Sequence, residues 1–454
     1  MNRIPGFEHT KNDVTAQGLR VQTAIIGCSV GGRPPPRRVT FFIRLLLTMT
    51  SPTAELSNTN QQLVEELKRF DTFEQLRKSE FFRVQKHAIL QLLNTPRIYS
   101  YANASSRLRS FLRVVEWNIE RGSRFEGIVH VLNEHPILRF ADLLLLNELD
   151  DGMMRSSNRH VALELSRALQ AHTVFGVEYL ELTKGAGAEA NLPGENNDAL
   201  HGNAIMTRYP FADPEIARLP RCENNFESKE KRIGGRIGIF LDVEINGRKI
   251  AIGNTHLDVV GTPHCRGNQM RAMLKHLEIF VGTADVTSSP VIVGGDLNTH
   301  TFARGTTLRT IKNTATILGG DRERLRDRLS SPAIREPAIQ EFTRFGYETE
   351  GFNDQKATSR TIVSNLDDTA KLPRPIRWWI RHRIPPAGIL LEFRLDWLAA
   401  RGLRGLRAGE VIDRETGVAS INAQTFPGLT YKGETLSDHD PIAFDVSIEH
   451  DGSL

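Results

Sequence analysis

The sequence contains little of what marks a disulfide-stabilised or zinc-binding protein. Cysteine occurs three times in 454 residues, as Cys28, Cys222 and Cys265, and the spacing suits no metal site. We therefore expect neither a disulfide framework nor a zinc site. A reducing compartment is the simpler interpretation, and with it a cytoplasmic location, while the argument against export is weak.

Long apolar runs are also missing, and none approaches the length of a transmembrane helix. The apolar segment 39–47 is short, Arg44 interrupts it, and no small-residue cleavage site follows, so it fits a secretory leader poorly. Residues 1–57 are rich in Gly, Pro, Ser and Thr. We expect them to form a disordered extension in which Met49 is an alternative start.

A strong overall charge is absent as well. Lys and Arg number 58 against 54 Asp and Glu, so the net charge is +4, and 39% hydrophobic residues suffice for a sizeable core. The basic excess is local, because residues 300–410 contain 20 Lys and Arg but 13 Asp and Glu, a surplus of 7. This distribution favours one anionic contact region over a basic surface. Nothing in the sequence sets the oligomeric state, and a monomer is the expectation.

What the sequence does contain is a series of apolar strands that end in polar side chains. The clearest runs from Val291 to His300, where a strand and two glycines precede Asp296 and Asn298. Alternation along an extended chain points these two side chains to the same side. A polar turn would explain one such ending, but not its repetition. The same arrangement recurs at Asn118, Glu148, Asn203, His256, Asp396 and His439.

The elements around these endings fall into two regions. Helical periodicity over 58–94 predicts two helices, which we expect to pack on the following domain as part of an N-terminal extension over 58–111. The main domain then covers 112–450, with a basic insertion rich in Pro, Arg and Trp at about 355–390. Asn246-Gly247 between two β-rich runs predicts a hairpin within this domain.

Two of the polar residues predict a base for hydrolysis. Asp396 lies between Leu395 and Trp397, and a carboxylate buried in an apolar strand needs a partner. His439 is the natural partner, because a carboxylate on one imidazole nitrogen fixes the tautomer and raises the basicity of the other nitrogen. His439 would then activate a water molecule.

Other members of the set suit a hard cation and a phosphate. Oxygen donors without clustered cysteines favour Mg²⁺ or Mn²⁺ over zinc, and such an ion polarises a phosphoryl oxygen. The donors are Glu148, Asp438, Glu120 and Asn118. Side chains that would hydrogen-bond the oxygens of a five-coordinate phosphorus are Asn203, Asn298 and His256. The sequence therefore predicts hydrolysis of a phosphate ester.

Seven short motifs, each weak alone, closely resemble the endonuclease/exonuclease/phosphatase superfamily when they are taken in order. The resemblance covers about 112–448. It implies an α+β fold, a four-layer α/β sandwich of two packed, mostly antiparallel sheets flanked by helices, with the site at one end. The motifs are Trp117-Asn118-Ile119-Glu120-x-Gly122, Asn147-Glu148, Gly202-Asn203-Ala204, Asn254-Thr255-His256-Leu257, Gly295-Asp296-Leu297-Asn298, Arg394-Leu395-Asp396-Trp397 and Ser437-Asp438-His439-Asp440-Pro441.

The resemblance implies a metal site built from its first, second and last motifs. Glu148 would be the principal ligand, with Asn118, Glu120 and Asp438 completing or supporting the shell. Position 147 is Asn where the family often has Gln, and Glu120 stands where many members have Asp. Both departures keep the chemical type, so they bear on fine geometry more than on activity.

The resemblance also assigns the proton transfers and the phosphate contacts. His439, paired with Asp396, would act at the nucleophilic water, and Asp296 would assist proton transfer. In some members the equivalent of Asp296 takes the water instead, so these two roles are exchangeable. The residues that would hold the phosphate are Asn298, Asn203 and His256.

The sequence is less informative about which phosphate ester is cleaved. A phosphodiesterase or nuclease is favoured, and the alternatives are a phosphomonoesterase, a sphingomyelinase-like lipid phosphodiesterase and a catalytically idle anion-binding module. The last would require a broken motif, and none is visible.

The most distinctive loop for substrate choice spans 374–383, with four arginines, two adjacent tryptophans and no acid. It could stack bases and grip a nucleic-acid backbone, lie on an anionic membrane surface, or form a lid with solvated arginines. The residues that we expect to bind substrate are Arg377, Trp378, Trp379 and Arg381.

Overall fold

The structure is a computed structural model that describes residues 53–101, 110–282, 289–319, 321–363, 374–383 and 388–448. The expectation of a disordered extension over 1–57 therefore lies, up to residue 52, outside the described residues. Among those that are described, no helix is both long and apolar enough to cross a bilayer.

The first half of the described chain leads from a helical region into the sheets. Helix α2 begins with a reciprocal cap, in which the Thr72 side chain accepts from the Gln75 N–H and the Gln75 side chain accepts from the Thr72 N–H. In chain order the elements are α1 (Thr53–Lys68), α2 (Phe73–Lys78), α3 (Glu80–Asn94), β1 (Arg97–Ser100), β2 (Phe111–Arg121), α4 (Phe125–Glu134), β3 (Leu143–Asp151), α5 (Val161–Leu169), β4 (His172–Glu181), β5 (Leu200–Thr207), β6 (Phe211–Arg218), β7 (Arg232–Gly234), β8 (Ile237–Ile245) and β9 (Arg248–His256).

Turn and cap residues set the next boundaries. Asn246 and Gly247, with φ of 52° and 74°, form the predicted hairpin turn between β8 and β9, because such tight turns need positive φ at both positions. The Thr262 side chain caps the helix that begins at Pro263. The remaining elements are α6 (Pro263–Val281), β10 (Val291–Asp296), α7 (Thr307–Gly319), α8 (Arg322–Ser330), α9 (Pro337–Arg344), β11 (Ser359–Val363), α10 (Arg374–Arg383), β12 (Ile389–Phe393), β13 (Asp396–Arg401), β14 (Gln424–Thr425), β15 (Thr430–Tyr431), β16 (Glu434–Thr435) and β17 (Ile442–Ser447).

Two large sheets carry the fold. One has the strand order β1-β4-β5-β3-β2-β17-β14, with β7 also paired to β4, and the other has the order β13-β10-β9-β8-β6. Strands β2 and β3 pair in parallel, as do β9 and β10. The other described pairings within these sheets are antiparallel. The prediction of two mostly antiparallel sheets is confirmed.

The two sheets pack face to face, and helices cover their outer faces. Between the sheets, Leu145 and Phe444 of the first meet Ile239, Ile252 and Ile292 of the second in one apolar core. Residues of α1, α3, α4 and α5 pack on the outer face of the first sheet, and residues of α6 and α9 pack on that of the second. The fold is therefore the four-layer α/β sandwich that was expected.

Several elements differ from the sequence-based expectation. Three helices occupy 53–94, where two were predicted, because the Thr72 cap and Ser79 each begin a new helix. The apolar strand expected around Asp396 begins only at that residue, because residues 394 and 395 separate β12 from β13. The stretch 374–383, expected to be a loop, is helix α10.

The expectation that no disulfide forms is wrong. Cys222, in the segment between β6 and β7, is bonded to Cys265 in the first turn of α6, with Cα atoms 5.8 Å apart. The two residues lie 43 positions apart, so the spacing of cysteines along the chain carried no information about their pairing. The expectation of a reducing compartment loses the observation on which it rested.

Candidate active site

The candidate site lies where the apolar rows between the two sheets end in polar side chains. On β10 the inward-facing row that starts at Ile292 reaches Asp296, and on β2 the row that contains Val114 reaches Asn118. Asp396 begins β13 on the same inner face and pairs with Asp296 in register. Because alternate residues of a strand share a face, these polar groups extend the core to its rim.

Asn118 joins the two sheets at this rim. Its Nδ2 donates to Glu148 Oε1 at 3.2 Å and to Asp296 Oδ2 at 3.1 Å, and its Oδ1 accepts from the Glu120 N–H at 3.1 Å. The Glu148 N–H donates to Asn203 Oδ1 at 3.3 Å. Five residues that the sequence singled out thus form one hydrogen-bonded group.

Three carboxylates, those of Glu120, Glu148 and Asp438, crowd one side of this group. Burial and the nearby acids Asp438 and Glu148 raise the pKa of Glu120, and burial together with Glu148 also raises the pKa of Asp438. Burial opposes ionisation of Glu148 too, but cations led by Arg121 outweigh it and lower the pKa of that carboxyl. A divalent cation would neutralise this concentration of negative charge, and carboxylate and amide oxygens are ligands that Mg²⁺ and Mn²⁺ accept.

Asp396 and His439 form the predicted pair. Nδ1 of His439 donates to Asp396 Oδ2 at 2.8 Å and to Oδ1 at 3.0 Å, and both side chains are buried. Trp117 Nε1 donates to the His439 carbonyl at 3.0 Å, and the Ser437 hydroxyl accepts from the His439 N–H at 3.1 Å. Both ring and backbone of His439 are therefore fixed. Although burial disfavours the cation, Asp396 and Asp296 raise the pKa of His439 well above its usual range.

Asp296 stands between the two sides of the site. Its Oδ1 accepts from the Asn298 N–H at 2.8 Å, and its Oδ2 lies 3.8 Å from His439 Nε2 and 3.4 Å from His256 Nε2. Burial first, and then the charge of Asp396, raise the pKa of Asp296 to about 7. Asp296 therefore combines a central position with a pKa suited to a base near neutral pH.

The tautomer of His256 is set by an arginine. Arg236 Nη1 donates to His256 Nδ1 at 2.8 Å, so the proton of the neutral ring is on Nε2. Burial, Arg236 and other cations lower the pKa of His256 well below its usual range. Nε2 therefore carries an N–H, for which Asp296 Oδ2, 3.4 Å away, is the acceptor, while the neighbouring Asn298 Nδ2 donates to the Leu257 carbonyl at 2.9 Å.

Both the oxygen and the nitrogen of the Asn203 side-chain amide are hydrogen-bonded within the protein. Its Oδ1 holds the Glu148 N–H, and its Nδ2 donates to Glu178 Oε1 at 3.0 Å. The structure thus places this residue, expected at the phosphate, directly behind Glu148.

Backbone conformation at the site is unusual. Glu120, Glu148 and Asn298 have φ of 46°, 56° and 50°. These values lie in the left-handed region, which residues other than glycine seldom adopt. At Glu148 this interrupts the regular pairing of β3 with β2 and β5, so the carboxylate turns to the rim. The hydrogen bonds around Asn118 and Asn203 hold two of these conformations in place.

In the described residues, one group of three side chains has ligand atoms close enough together to hold a cation. Asp296, Asp396 and His439 each offer a ligand atom, and these atoms lie within 4.8 Å of one another. His439 Nδ1 is, however, already bonded to Asp396, which accounts for most of this proximity.

Sequence reasoning missed a charged layer beneath the site. Arg236 donates to Glu178 Oε2 at 2.7 Å and to Asp258 Oδ1 at 3.2 Å as well as to His256. All four residues are buried. The inward-facing register of Glu178 on β4 was the available signal, but β4 itself was not predicted.

Glu116 was also missed, although it precedes Asn118 on the same inner face of β2. It is fully buried, and neither of its carboxylate oxygens hydrogen-bonds a described residue. Burial and the neighbouring Asp396 and Asp296 raise its pKa well above the usual range. The available signal in the sequence was an acid two residues before Asn118 in an otherwise apolar strand.

Helix α10 carries the four residues expected to bind substrate. Trp378 is 63% exposed and its ring centroid lies 4.2 Å from that of His382, while Arg377 is half-buried. The side chains of Trp379 and Arg381 lie outside the described residues. The helix packs against α7.

The four-layer sandwich, with carboxylates, amides and an Asp–His pair at one end of its sheets, defines a class of hydrolases that act on phosphate esters and generally use divalent metals. The sequence model of the Endonuclease/Exonuclease/phosphatase family matches residues 115–439, and the chain belongs to this family. No curated protein matches the sequence at a significant level.

Solved structures include similar chains at low identity. The human Nocturnin catalytic domain with bound sulfate is 16% identical, with a TM-score of 0.37 over 79% of this chain and 97% of that one. A family protein from Leptotrichia buccalis is 14% identical, with a TM-score of 0.40 over 74% and 100%. D. rerio TDP2 complexed with a single-strand DNA product is 15% identical, with a TM-score of 0.36 over 74% and 99%.

Proposed function

We propose that this protein is a Mg²⁺- or Mn²⁺-dependent phosphodiesterase that hydrolyses its substrate with an activated water. The observation that carries the proposal is the hydrogen-bonded convergence of Glu148, Asn118 and Asp296, with the Asp396–His439 pair 3.8 Å from Asp296. Residues from strands far apart in the chain meet in this one group. Burying so many acids is costly, and packing of the core alone does not explain it.

The metal would be held by the acidic group at the rim. Glu148 is the principal ligand in this proposal, and Asn118, Glu120 and Asp438 complete or support the shell. When bound, the ion polarises a phosphoryl oxygen and offsets charge on the leaving group. The assignment is supported by the raised pKa values of Glu120 and Asp438, to which the charge of Glu148 contributes, because a bound cation would offset this repulsion.

Asp296 and His439 divide the proton transfers. His439 holds its proton because two carboxylates favour the imidazolium, so it is better suited to bind a phosphoryl oxygen or donate a proton than to act as the base. Asp296, ionised above about pH 7, would accept the proton of the attacking water. Of the two exchangeable assignments, we thus favour Asp296 as the base.

The remaining oxygens of the phosphate would meet neutral donors. His256 Nε2 carries a proton, and Asn298 Nδ2, which gives one hydrogen to the Leu257 carbonyl, has a second one to offer beside it. Such donors stabilise charge that grows on the oxygens as phosphorus becomes five-coordinate. Asn203 contributes indirectly, by fixing Glu148.

The direct test is release of p-nitrophenol from bis-p-nitrophenyl phosphate. We expect turnover with Mg²⁺ or Mn²⁺ that EDTA removes and that added metal restores. Turnover that survives EDTA would contradict the metal dependence. Absence of turnover with either metal on this substrate and on DNA, RNA, sphingomyelin and a phosphoinositide would favour an anion-binding module instead.

The pKa values predict how activity follows pH. Because the base must be ionised, kcat/KM should rise about tenfold per pH unit below pH 7 and level off above it, since the pKa of Asp296 is about 7. Activity should fall again only well above pH 6.5, where His439 loses its proton. The measurement is kcat/KM for bis-p-nitrophenyl phosphate from pH 5 to 10 at constant free Mg²⁺. A flat profile between pH 5.5 and 8 would remove Asp296 from the role of base.

Substrate choice is proposed to depend on α10, and single-stranded nucleic acid is the substrate we favour over a lipid headgroup. Stacking on an aromatic side chain contributes roughly 1–3 kcal/mol per base. Trp378→Ala, and to a lesser degree Arg377→Ala, should therefore lower the ratio of oligonucleotide to bis-p-nitrophenyl phosphate kcat/KM about tenfold.

The matched control is Arg324→Ala on α8, whose side chain is 89% exposed. If Trp378→Ala lowers turnover of sphingomyelin in anionic vesicles but not of oligonucleotides, the lipid assignment replaces the nucleic-acid one. If neither ratio changes, α10 is a lid without a role in recognition.

A further inference from the structure

The disulfide ties together two segments that border the phosphate-binding side of the site. Cys222 lies in the segment after β6, and Cys265 lies in the first turn of α6. Both residues are half-buried, so a small reductant can reach them. The bond therefore clamps the segment around Cys222 to the start of the helix.

Both clamped segments hold the same carboxylate, that of Asp258. The Cys222 N–H donates to Asp258 Oδ2 at 3.2 Å. Gln269, one turn after Cys265 on α6, donates to the same oxygen at 2.8 Å and accepts from the Asp258 N–H at 3.0 Å. Gln269 Nε2 also donates to the Pro220 carbonyl at 2.8 Å, so it bridges both sides of the clamp.

Asp258 passes this constraint to the site through one arginine. Asp258 Oδ1 accepts from Arg236 Nε at 3.2 Å, and Arg236 Nη1 donates to His256 Nδ1 at 2.8 Å. Asp258, Arg236 and His256 are all buried, with 3%, 5% and 2% exposure. Arg236 is also held by Glu178 Oε2 at 2.7 Å, so a shift of the Asp258 carboxylate would remove one of its two acidic partners. The chain of contacts from Cys222 to His256 is continuous.

We propose that Asp258 and the Cys222–Cys265 disulfide are positioning elements for the phosphate-binding His256, and that reduction of the disulfide lowers the rate of hydrolysis. The inference rests on the proposed function of the site. Neither Asp258 nor the cysteines contact the substrate. They act through Arg236, which fixes the tautomer and orientation of the imidazole.

A dithiol supplies all the electrons and protons that reduction of this disulfide needs. The reductant gives two electrons and two protons, the S–S bond breaks to leave the thiols of Cys222 and Cys265, and the dithiol closes to a cyclic disulfide. The segment around Cys222 is then released from α6, and one N–H donor to Asp258 becomes free to move. His256 loses part of its support, although no atom of the catalytic group changes.

The experiment compares oxidised and dithiothreitol-reduced protein in which Cys28→Ser leaves only the two bonded cysteines. We expect kcat/KM for bis-p-nitrophenyl phosphate with saturating Mg²⁺ to fall about tenfold on reduction, mainly in kcat, because a displaced transition-state donor loses part of the 10²–10³-fold that such groups contribute. Removal of the reductant and reoxidation should restore it. The double variant Cys222→Ser/Cys265→Ser should have the kcat/KM of the reduced protein, and dithiothreitol should not change that value.

Asp258→Ala distinguishes positioning from general loosening. If the disulfide acts through Asp258, this variant should already have about tenfold lower kcat/KM, and reduction should change it less than twofold, because the two changes interrupt the same chain of contacts. Equal losses on reduction with and without Asp258, or a loss that accompanies the near-UV signature of unfolding at the assay temperature, would overturn the inference.

The two proposals fail in different ways. If the oxidised protein hydrolyses bis-p-nitrophenyl phosphate and reduction leaves kcat/KM unchanged, the positioning role is wrong and the proposed function stands. If the oxidised protein hydrolyses none of the phosphate esters, the proposed function is wrong and the positioning role falls with it.

Discussion

Glutamine in place of Glu148 is expected to lower Mg²⁺-dependent hydrolysis about 10³-fold or more, the largest effect of any single change in this site. The substitution removes the charge of the principal ligand. It keeps an oxygen that can accept from Asn118 Nδ2, which now lies 3.2 Å from Oε1, so the fold should persist. The loss should therefore appear in metal binding and turnover rather than in folding.

Thermal unfolding with and without Mg²⁺ separates these outcomes. A metal that binds only the folded protein stabilises it by about 2.7 kcal/mol at 100 times its Kd, so Mg²⁺ should raise the Tm of the wild type and leave that of Glu148→Gln nearly unchanged. Glu244→Gln, an exposed position on β8, is the matched control and should behave as wild type. A Glu148→Gln protein with wild-type turnover would show that the acidic group around Glu148 is not the metal site.

Asparagine in place of Asp396 should lower kcat about 10³-fold while Mg²⁺ binding survives, because a buried carboxylate on a catalytic histidine fixes its tautomer and stabilises its cation. In the present structure His439 Nδ1 donates to both oxygens of Asp396, at 2.8 and 3.0 Å. Without the negative charge, the pKa of His439 should fall, since Asp396 is the strongest of the groups that raise it.

The pH profile gives this prediction a signature that misfolding cannot imitate. The decline of kcat/KM at high pH should move to lower pH in Asp396→Asn, while the Mg²⁺-induced rise in Tm stays. Asp242→Asn, whose carboxylate pairs with Lys249 at 2.5 Å on the outer part of β8, serves as the control. If Asp396→Asn keeps both the rate and the basic limb, the Asp396–His439 pair is structural rather than catalytic.

Local patterns predicted much of the site because the site continues the core. Each inward-facing row of a strand is set by alternation, so a polar residue that follows such a row must lie at the rim between the sheets. Asp296, Asn118 and Asp396 could be placed in this way from the sequence. The hairpin at Asn246-Gly247 was equally local, since its two residues dictate the turn.

Contacts between residues distant in sequence could not be predicted in the same way. The partner of Asp258 is an arginine on a segment before β8, and the partner of Cys222 is 43 residues away on α6. Neither pairing leaves a trace in spacing or periodicity. Strand β4 was missed too, and with it the register that places Glu178 beneath the site.

Helix α10 shows a different limit. A run of arginines and tryptophans reads as an irregular basic loop, but the stretch 374–383 is helical. Arginine is a good helix former, and Ile376, Trp379 and Ile380 are spaced as on one face of a helix, which packs on α7. The composition therefore described the charge of the segment correctly and its conformation wrongly.

The left-handed backbone at Glu120, Glu148 and Asn298 has a cost for the whole molecule. For Glu120 and Glu148 this conformation costs on the order of 1 kcal/mol that glycine would not lose, while asparagine at 298 tolerates it better. Selection for thermal stability alone would favour glycine at all three positions. That change would remove three side chains from the candidate active site. At these positions the side chains needed for activity therefore lower the stability of the fold. A descendant of this protein that had lost activity could carry glycine there and would be more stable.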